Sequence, residues 1–90
     1  MKVIFTIHVE EKLLEADSKE LGITKDKIIA ILKNPVATDK KVYPRHSVGF
    51  LNDELSLNVI WKMEKGDIIK TITFYPAEKG RYESKILRGR

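Results

Sequence analysis

The chain predicts an α+β fold, and three features of its apolar pattern carry that expectation. Residues 2 to 9 alternate with period two, residues 10 to 34 switch to helical spacing, and the chain after Pro35 returns to period two. The order is strand, helix, helix, then three or four antiparallel strands, with the helices expected on one face of the sheet.

In the first strand, Val3, Phe5, Ile7 and Val9 share one face, while Ile4, Thr6 and His8 share the other. Glu10 to Leu21 reads as a helix. Leu13, Leu14, Ala16 and Leu21 form its stripe, acids crowd its first turn, and Gly22 is placed to end it. Thr24 caps a second helix with Asp26 in its first turn and Ile28, Ile29, Ile31 and Leu32 as its apolar face. Asn34-Pro35 stops it, because the residue before a proline is pushed out of the helical region.

Val36 to Tyr43 and Ser47 to Leu51 read as short strands around a Pro44-Arg45-His46 turn, and Asn52-Asp53-Glu54 is a further turn. Leu55, Leu57, Val59, Trp61 and Met63 then line one face of a strong strand, with Ser56, Asn58, Ile60 and Lys62 on the other. Glu64-Lys65-Gly66-Asp67 connects it as a hairpin to Ile68–Tyr75, a β-branched and aromatic run. Pro76, with no N–H to give a ladder, is expected to stop that run. Helices over Val3, Phe5, Ile7, Leu57, Val59 and Trp61 place Trp61 and Phe5 in the core. The opposite, polar face then carries Thr6, His8, Asn58, Lys62, Thr71, Thr73 and Tyr75 as the expected working surface.

Ninety residues suit one domain, expected over residues 1–78, with residues 79–90 as a basic C-terminal tail. Without cysteine there is neither a disulfide framework nor a thiolate metal site. His8 and His46 lack any metal-ligand spacing, so no metal and no cofactor are expected. Gly66 and Gly80 stand alone rather than in a phosphate-cradling loop, and no serine sits in a nucleophile elbow. No apolar run approaches the roughly 20 residues of a membrane span, and charged residues follow the N-terminus almost at once. The expectation is a soluble cytoplasmic protein with no membrane partner.

The charge distribution is uneven. Lys79, Arg81, Lys85, Arg88 and Arg90 face one acid, Glu83, whereas the first 78 residues carry twelve basic and twelve acidic side chains. The net charge of +4 therefore belongs to the C-terminal segment. A focused basic patch beside the Thr71, Thr73 and Tyr75 hydroxyls is the footprint of a surface that meets phosphate or an acidic partner.

A strand ending in His8, a helix, Gly22-Ile23-Thr24, Ile28 to Leu32, Lys33-Asn34-Pro35 and the closing Thr73-Phe74-Tyr75-Pro76 together resemble a family of small uncharacterised proteins. That family is grouped with the RelE/ParE-like toxin superfamily. The resemblance spans roughly His8 to Tyr82. Lys12 stands where an arginine is common, and the stretch from His8 to Gly22 is longer than the family's. The resemblance implies a RelE-like fold and, from the active members of the superfamily, a ribosome-dependent messenger RNA endonuclease paired with an acidic antitoxin. His8 and Tyr75 are the positions carried over.

Metal-free RNA cleavage needs a base for the 2′-hydroxyl proton, an acid for the leaving oxygen and fixed positive charge at phosphorus. His8 and Tyr75 are the candidate catalytic pair. Arg45, His46, Lys62, Thr73, Arg81 and Arg88 are the candidates for binding RNA or a partner. The bland alternatives stay open. His8 also suits a strand-end ring that meets solvent, Tyr75 an ordinary strand tyrosine, Lys62 and Lys70 solvated strand positions, and the tail a disordered end. Two functions from different classes follow: a toxin-like ribonuclease acting without a cofactor, or a non-catalytic module binding RNA or an acidic protein.

Overall fold

In the computed structural model, which describes residues 1–88, the chain is an α+β domain built on one five-stranded mixed sheet. In chain order the elements are β1 (Lys2–Phe5), α1 (Ile7–Leu13), α2 (Ala16–Glu20), α3 (Lys25–Lys33), β2 (Ala37–Asp39), β3 (Arg45–Phe50), β4 (Leu55–Glu64), β5 (Ile68–Glu78) and α4 (Glu83–Leu87). The strands lie in the order β1-β5-β4-β3-β2. β2 to β5 form an antiparallel meander, and β1 adds to β5 in parallel.

The first strand is shorter than its alternation suggests. Thr6 ends it by turning its hydroxyl into an N-cap that accepts from the Val9 amide. Val9 thereby joins the core from a helix, Ile7 becomes exposed, and His8 belongs to α1 rather than to a strand end. The expected helix over residues 10–21 is two helices. Val9 and Leu13, one turn apart, face the core from α1. Continuing that helix would bring Ala16 and Asp17 inward; instead Glu15 is extended, α2 starts afresh, and Leu21 packs inward while Leu14 stays exposed. Thr24 does cap α3, accepting from the Lys27 amide at 3.1 Å.

The core lies between α1–α3 and one sheet face, where Val9, Ile23, Ile28, Ile31 and Leu32 meet Leu57, Val59, Ile69 and Phe74. Phe5 and Trp61 lie on this face as expected, but half-buried at its margin. Trp61 keeps its indole N–H satisfied by donating to Ser47 Oγ at 2.8 Å. Gly49 explains how α3 comes so close. A Cβ there would sit 2.5–3.0 Å from three side-chain atoms of Ile31. Gly49→Ala is expected to cost about 1–3 kcal/mol through overpacking, read as a lowered urea midpoint. A stability equal to the native protein's would mean that α3 is not seated on this strand.

Two departures reshape the last strand. A bulge inserts Ile72, so Ile60 pairs with Thr73 while Trp61 pairs with Thr71. Thr71 therefore turns to the helix-covered face, where it is fully buried, and leaves the polar face to which strict alternation assigned it. The strand also runs through Pro76 to Glu78. The Phe74 carbonyl accepts from Lys12 Nζ, so this side of β5 faces away from β4. Pro76, two residues on, directs its missing N–H to the same side and removes nothing from the β4 ladder.

The helices are not confined to one face. α4 packs on the opposite side of the sheet, where Glu83 bonds the Ser56 hydroxyl and Tyr82 lies against His46 and Tyr75. The basic segment after residue 78 is thus partly folded onto the sheet. Arg90, counted above in that segment, lies outside the described residues.

Candidate functional site

The sheet face away from α1–α3 divides into a covered and an open half. β2, β3 and the first half of β4 contribute Ala37, Asp39, His46, Val48, Ser56 and Asn58, over which α4 lies. The distal half of β4, with β5 and β1, contributes Ile60, Lys62, Thr73, Tyr75, Lys70, Ile4 and Lys2.

The covered half is a buried polar cluster. His46 is 6% exposed, and its Nε2 lies 2.7 Å from Asn58 Oδ1. Asn58 Nδ2 donates to the Tyr75 carbonyl at 3.3 Å, which ties the cluster to β5. The His46, Tyr75 and Tyr82 rings form a triangle with centroids 5.5–6.3 Å apart, and Tyr82 meets both others edge to face. His46, expected at an exposed turn tip, is instead a buried hydrogen-bonded residue of β3. Alternation sends its neighbour Arg45 to the other face, where the guanidinium lies 5.9 Å from the Trp61 ring. Arg45 and His46 do not act as a pair.

Glu83 anchors α4. Burial pushes its carboxyl up, but the Ser56 hydroxyl and the backbone amides of Glu83, Gly80 and Tyr82 outweigh that and hold it below its ordinary value. A carboxyl lowered on folding contributes stability above its unfolded value and loses it as pH falls through the folded one. Acidification below about pH 4.5, the ordinary value, is therefore expected to loosen α4. Hydrogen exchange at Ser84–Leu87 should accelerate there before β4 does. Exchange that rises equally in both would show α4 to be held by something other than Glu83.

The open half carries most of the remaining candidates. Thr73 and Tyr75 are two residues apart on this face, about 7 Å along the strand. His8 reaches Thr73 from α1, its Nε2 3.2 Å from Thr73 Oγ1. Lys12, one helical turn on, fixes α1 to the same strand by donating to the Phe74 carbonyl and lying 4.7 Å from the Phe74 ring centroid. Burial, with the Tyr82 phenol adding to it, pushes the Tyr75 hydroxyl up. Tyr75 is thus a phenol at neutral pH, suited to donating a proton or hydrogen bond and unsuited to acting as a base.

Along the border, Arg81 and Lys85 flank the Tyr82 ring at 5.9 and 6.0 Å, Lys79 sits 4.5 Å from the Phe50 ring centroid, and Arg88 Nε donates to the Ser84 carbonyl. All four are exposed. Thus Thr73, Tyr75 and Lys62 share the open half, His8 meets it at Thr73, Arg81 lies beside Tyr82, Arg88 caps the end of α4, and Arg45 stands apart on the other face. Tyr82, Lys70 and Lys85 are additions. Tyr82 sits between two basic residues in a stretch set aside as a tail, and only the folding-back of that stretch makes its position readable.

Among the described residues, no group of three or more His, Asp or Glu side chains is placed to hold a metal ion, and no helix is long and apolar enough to cross a membrane. Comparison with known proteins finds no family model, no curated protein and no solved structure that matches this chain.

Proposed function

We propose that this chain is a RelE-like domain that binds RNA through the sheet face opposite α1–α3. The observation that carries the reading is the make-up of that face. Hydroxyls of Thr73 and Tyr75 lie between the Lys62 side chain and the exposed Arg81 and Lys85 around Tyr82. Cations track phosphates, and half-buried aromatic rings offer faces on which bases stack. The element order, one strand, helices, then four antiparallel strands, supports the RelE-like part.

Substitution tests this better than truncation, because deletion after residue 78 would also strip Tyr82 and Glu83 from His46 and Ser56. The triple variant Arg81→Ala, Lys85→Ala, Arg88→Ala leaves those interactions in place. Removing one cation that pairs with a phosphate lowers the slope of log K against log salt by roughly 0.7 for a single strand. A flattening by up to about 2, with weaker binding of a short RNA, is expected. Equal affinity and slope in both proteins would reject the basic ridge as the RNA-binding element. Affinity for an acidic protein without affinity for RNA would replace the reading with a partner-binding one.

The approach of His8 to Thr73 favours a second reading on the same face, RNA cleavage without a cofactor. His8 would take the 2′-hydroxyl proton, the 2′-oxygen would bond to phosphorus as the bond to the 5′-oxygen breaks, and the Tyr75 phenol would protonate that leaving oxygen.

A further inference from the structure

Lys62 and Lys70 stand directly opposite one another on β4 and β5, both half-buried on the open half of the sheet face. Directly opposed residues have Cβ atoms about 5 Å apart, and like charges in that position destabilise a sheet. Their surroundings compensate poorly. Of the face positions on β1, β4 and β5, only Glu64 is a carboxylate, and its oxygen lies 3.7 Å from Lys70 Nζ, a loose and partly exposed pairing. Ile4 is Lys70's partner on β1, Ile60 and Ile68 are apolar neighbours, and Lys2 adds a further positive charge at the strand start. β3 begins opposite Trp61, so Lys62 has no cross-strand partner on that side.

We propose that Lys62 and Lys70 form a phosphate-binding pair whose mutual repulsion is relieved when one phosphate group sits between the two ammonium groups. The pair lies on the face assigned above to RNA, and the inference rests on that reading only for which molecule carries the phosphate. Residues placed for binding at the expense of folding have a signature: removing them strengthens the fold while weakening the complex. Solvated strand lysines would show neither effect.

The test is Lys62→Gln with Lys70→Gln, compared with the native protein by thermal melting in sodium chloride and in sodium pyrophosphate at matched ionic strength. In chloride the double variant is expected to melt about 2–4 °C higher, because the repulsion is gone. Pyrophosphate should raise the native melting temperature by several degrees, as any ligand of the folded state does, and leave the variant unmoved. With a short RNA, the variant should bind more weakly, with a salt slope smaller by roughly 0.7. A variant that melts lower in chloride, or that keeps the pyrophosphate shift, overturns the proposal. So does protection of the native protein by polyglutamate in place of pyrophosphate. Protection by pyrophosphate with no RNA binding upholds the pair and defeats the RNA reading. RNA binding indifferent to both substitutions defeats the pair and leaves the RNA reading standing.

Discussion

Phe74→Ala is expected to cost about 3–5 kcal/mol, the range for truncating a buried aromatic, and so to consume much of the stability of a domain this size. Phe74 is 1% exposed and is the largest fully buried side chain among the described residues. It fills the space between β5 and the helices, touching the cluster that includes Val9, Ile28, Leu57 and Val59. It is also the residue between Thr73 and Tyr75, and Lys12 from α1 lies over its ring. The cavity should therefore loosen the seat of α1 as well as the core, and His8 with it. Urea unfolding should show a lower midpoint with little change in slope, as expected when stability changes without a change in the unfolded state. Phe74→Leu, which keeps most of the volume, should lose much less. A Phe74→Ala protein of native stability would mean that the inward phase assigned to β5 beyond its bulge is wrong.

The cleavage reading stands on Tyr75→Phe and His8→Ala. Losing a general acid or base typically costs about 10²–10⁴ in rate, whereas neither change removes a cation, so RNA affinity should stay close to native. Tyr75→Phe keeps the ring that meets His46 and Tyr82 and deletes only the hydroxyl. His8 is exposed, so its removal should leave folding intact. The measurement is messenger RNA cleavage with and without ribosomes at matched protein concentration, with folding checked by circular dichroism. Loss of rate with retained affinity places the proton transfers at these residues. If the native protein cuts nothing in either condition, the face is a binding surface only. If both variants cut as well as the native protein, the chemistry lies elsewhere.

The parts of this fold legible in the sequence are those set by local chemistry. Thr24 capping α3, the turn in which Asn52 Oδ1 accepts from the Glu54 and Leu55 amides, and the inward phase of Leu57, Val59 and Trp61 each follow from residue type and spacing. The hairpin turn is equally plain, with Gly66 and Asp67 both at positive φ. What alternation does not disclose is where it breaks. Val3, Phe5, Ile7 and Val9 suit one strand, yet the Thr6 cap lets Val9 reach the core from a helix. Thr71, Thr73 and Tyr75 suit one face, yet a single inserted residue, Ile72, sends Thr71 to the other.

The site follows the same division. Thr73, Tyr75 and Lys62 stay together because they lie on paired strands beyond or opposite the bulge. Arg45 and His46 separate because adjacent residues of a strand point to opposite faces. α4 is the least legible element. Its five residues carry no long apolar stripe, and what docks it is a buried carboxylate meeting Ser56 across the sheet. A lone Glu83 among basic residues marks that docking only after the chain has folded back.

Amide shifts on titrating the isotope-labelled native protein with a short single-stranded RNA test the proposed RNA binding at this face most directly. The largest shifts are expected at Lys62, Lys70, Thr73, Tyr75, Arg81 and Tyr82, weakening as salt rises, with α3 (Lys25–Lys33) unmoved. No shifts at low salt, or shifts centred on α1–α3 with the sheet face silent, would contradict RNA binding at this face.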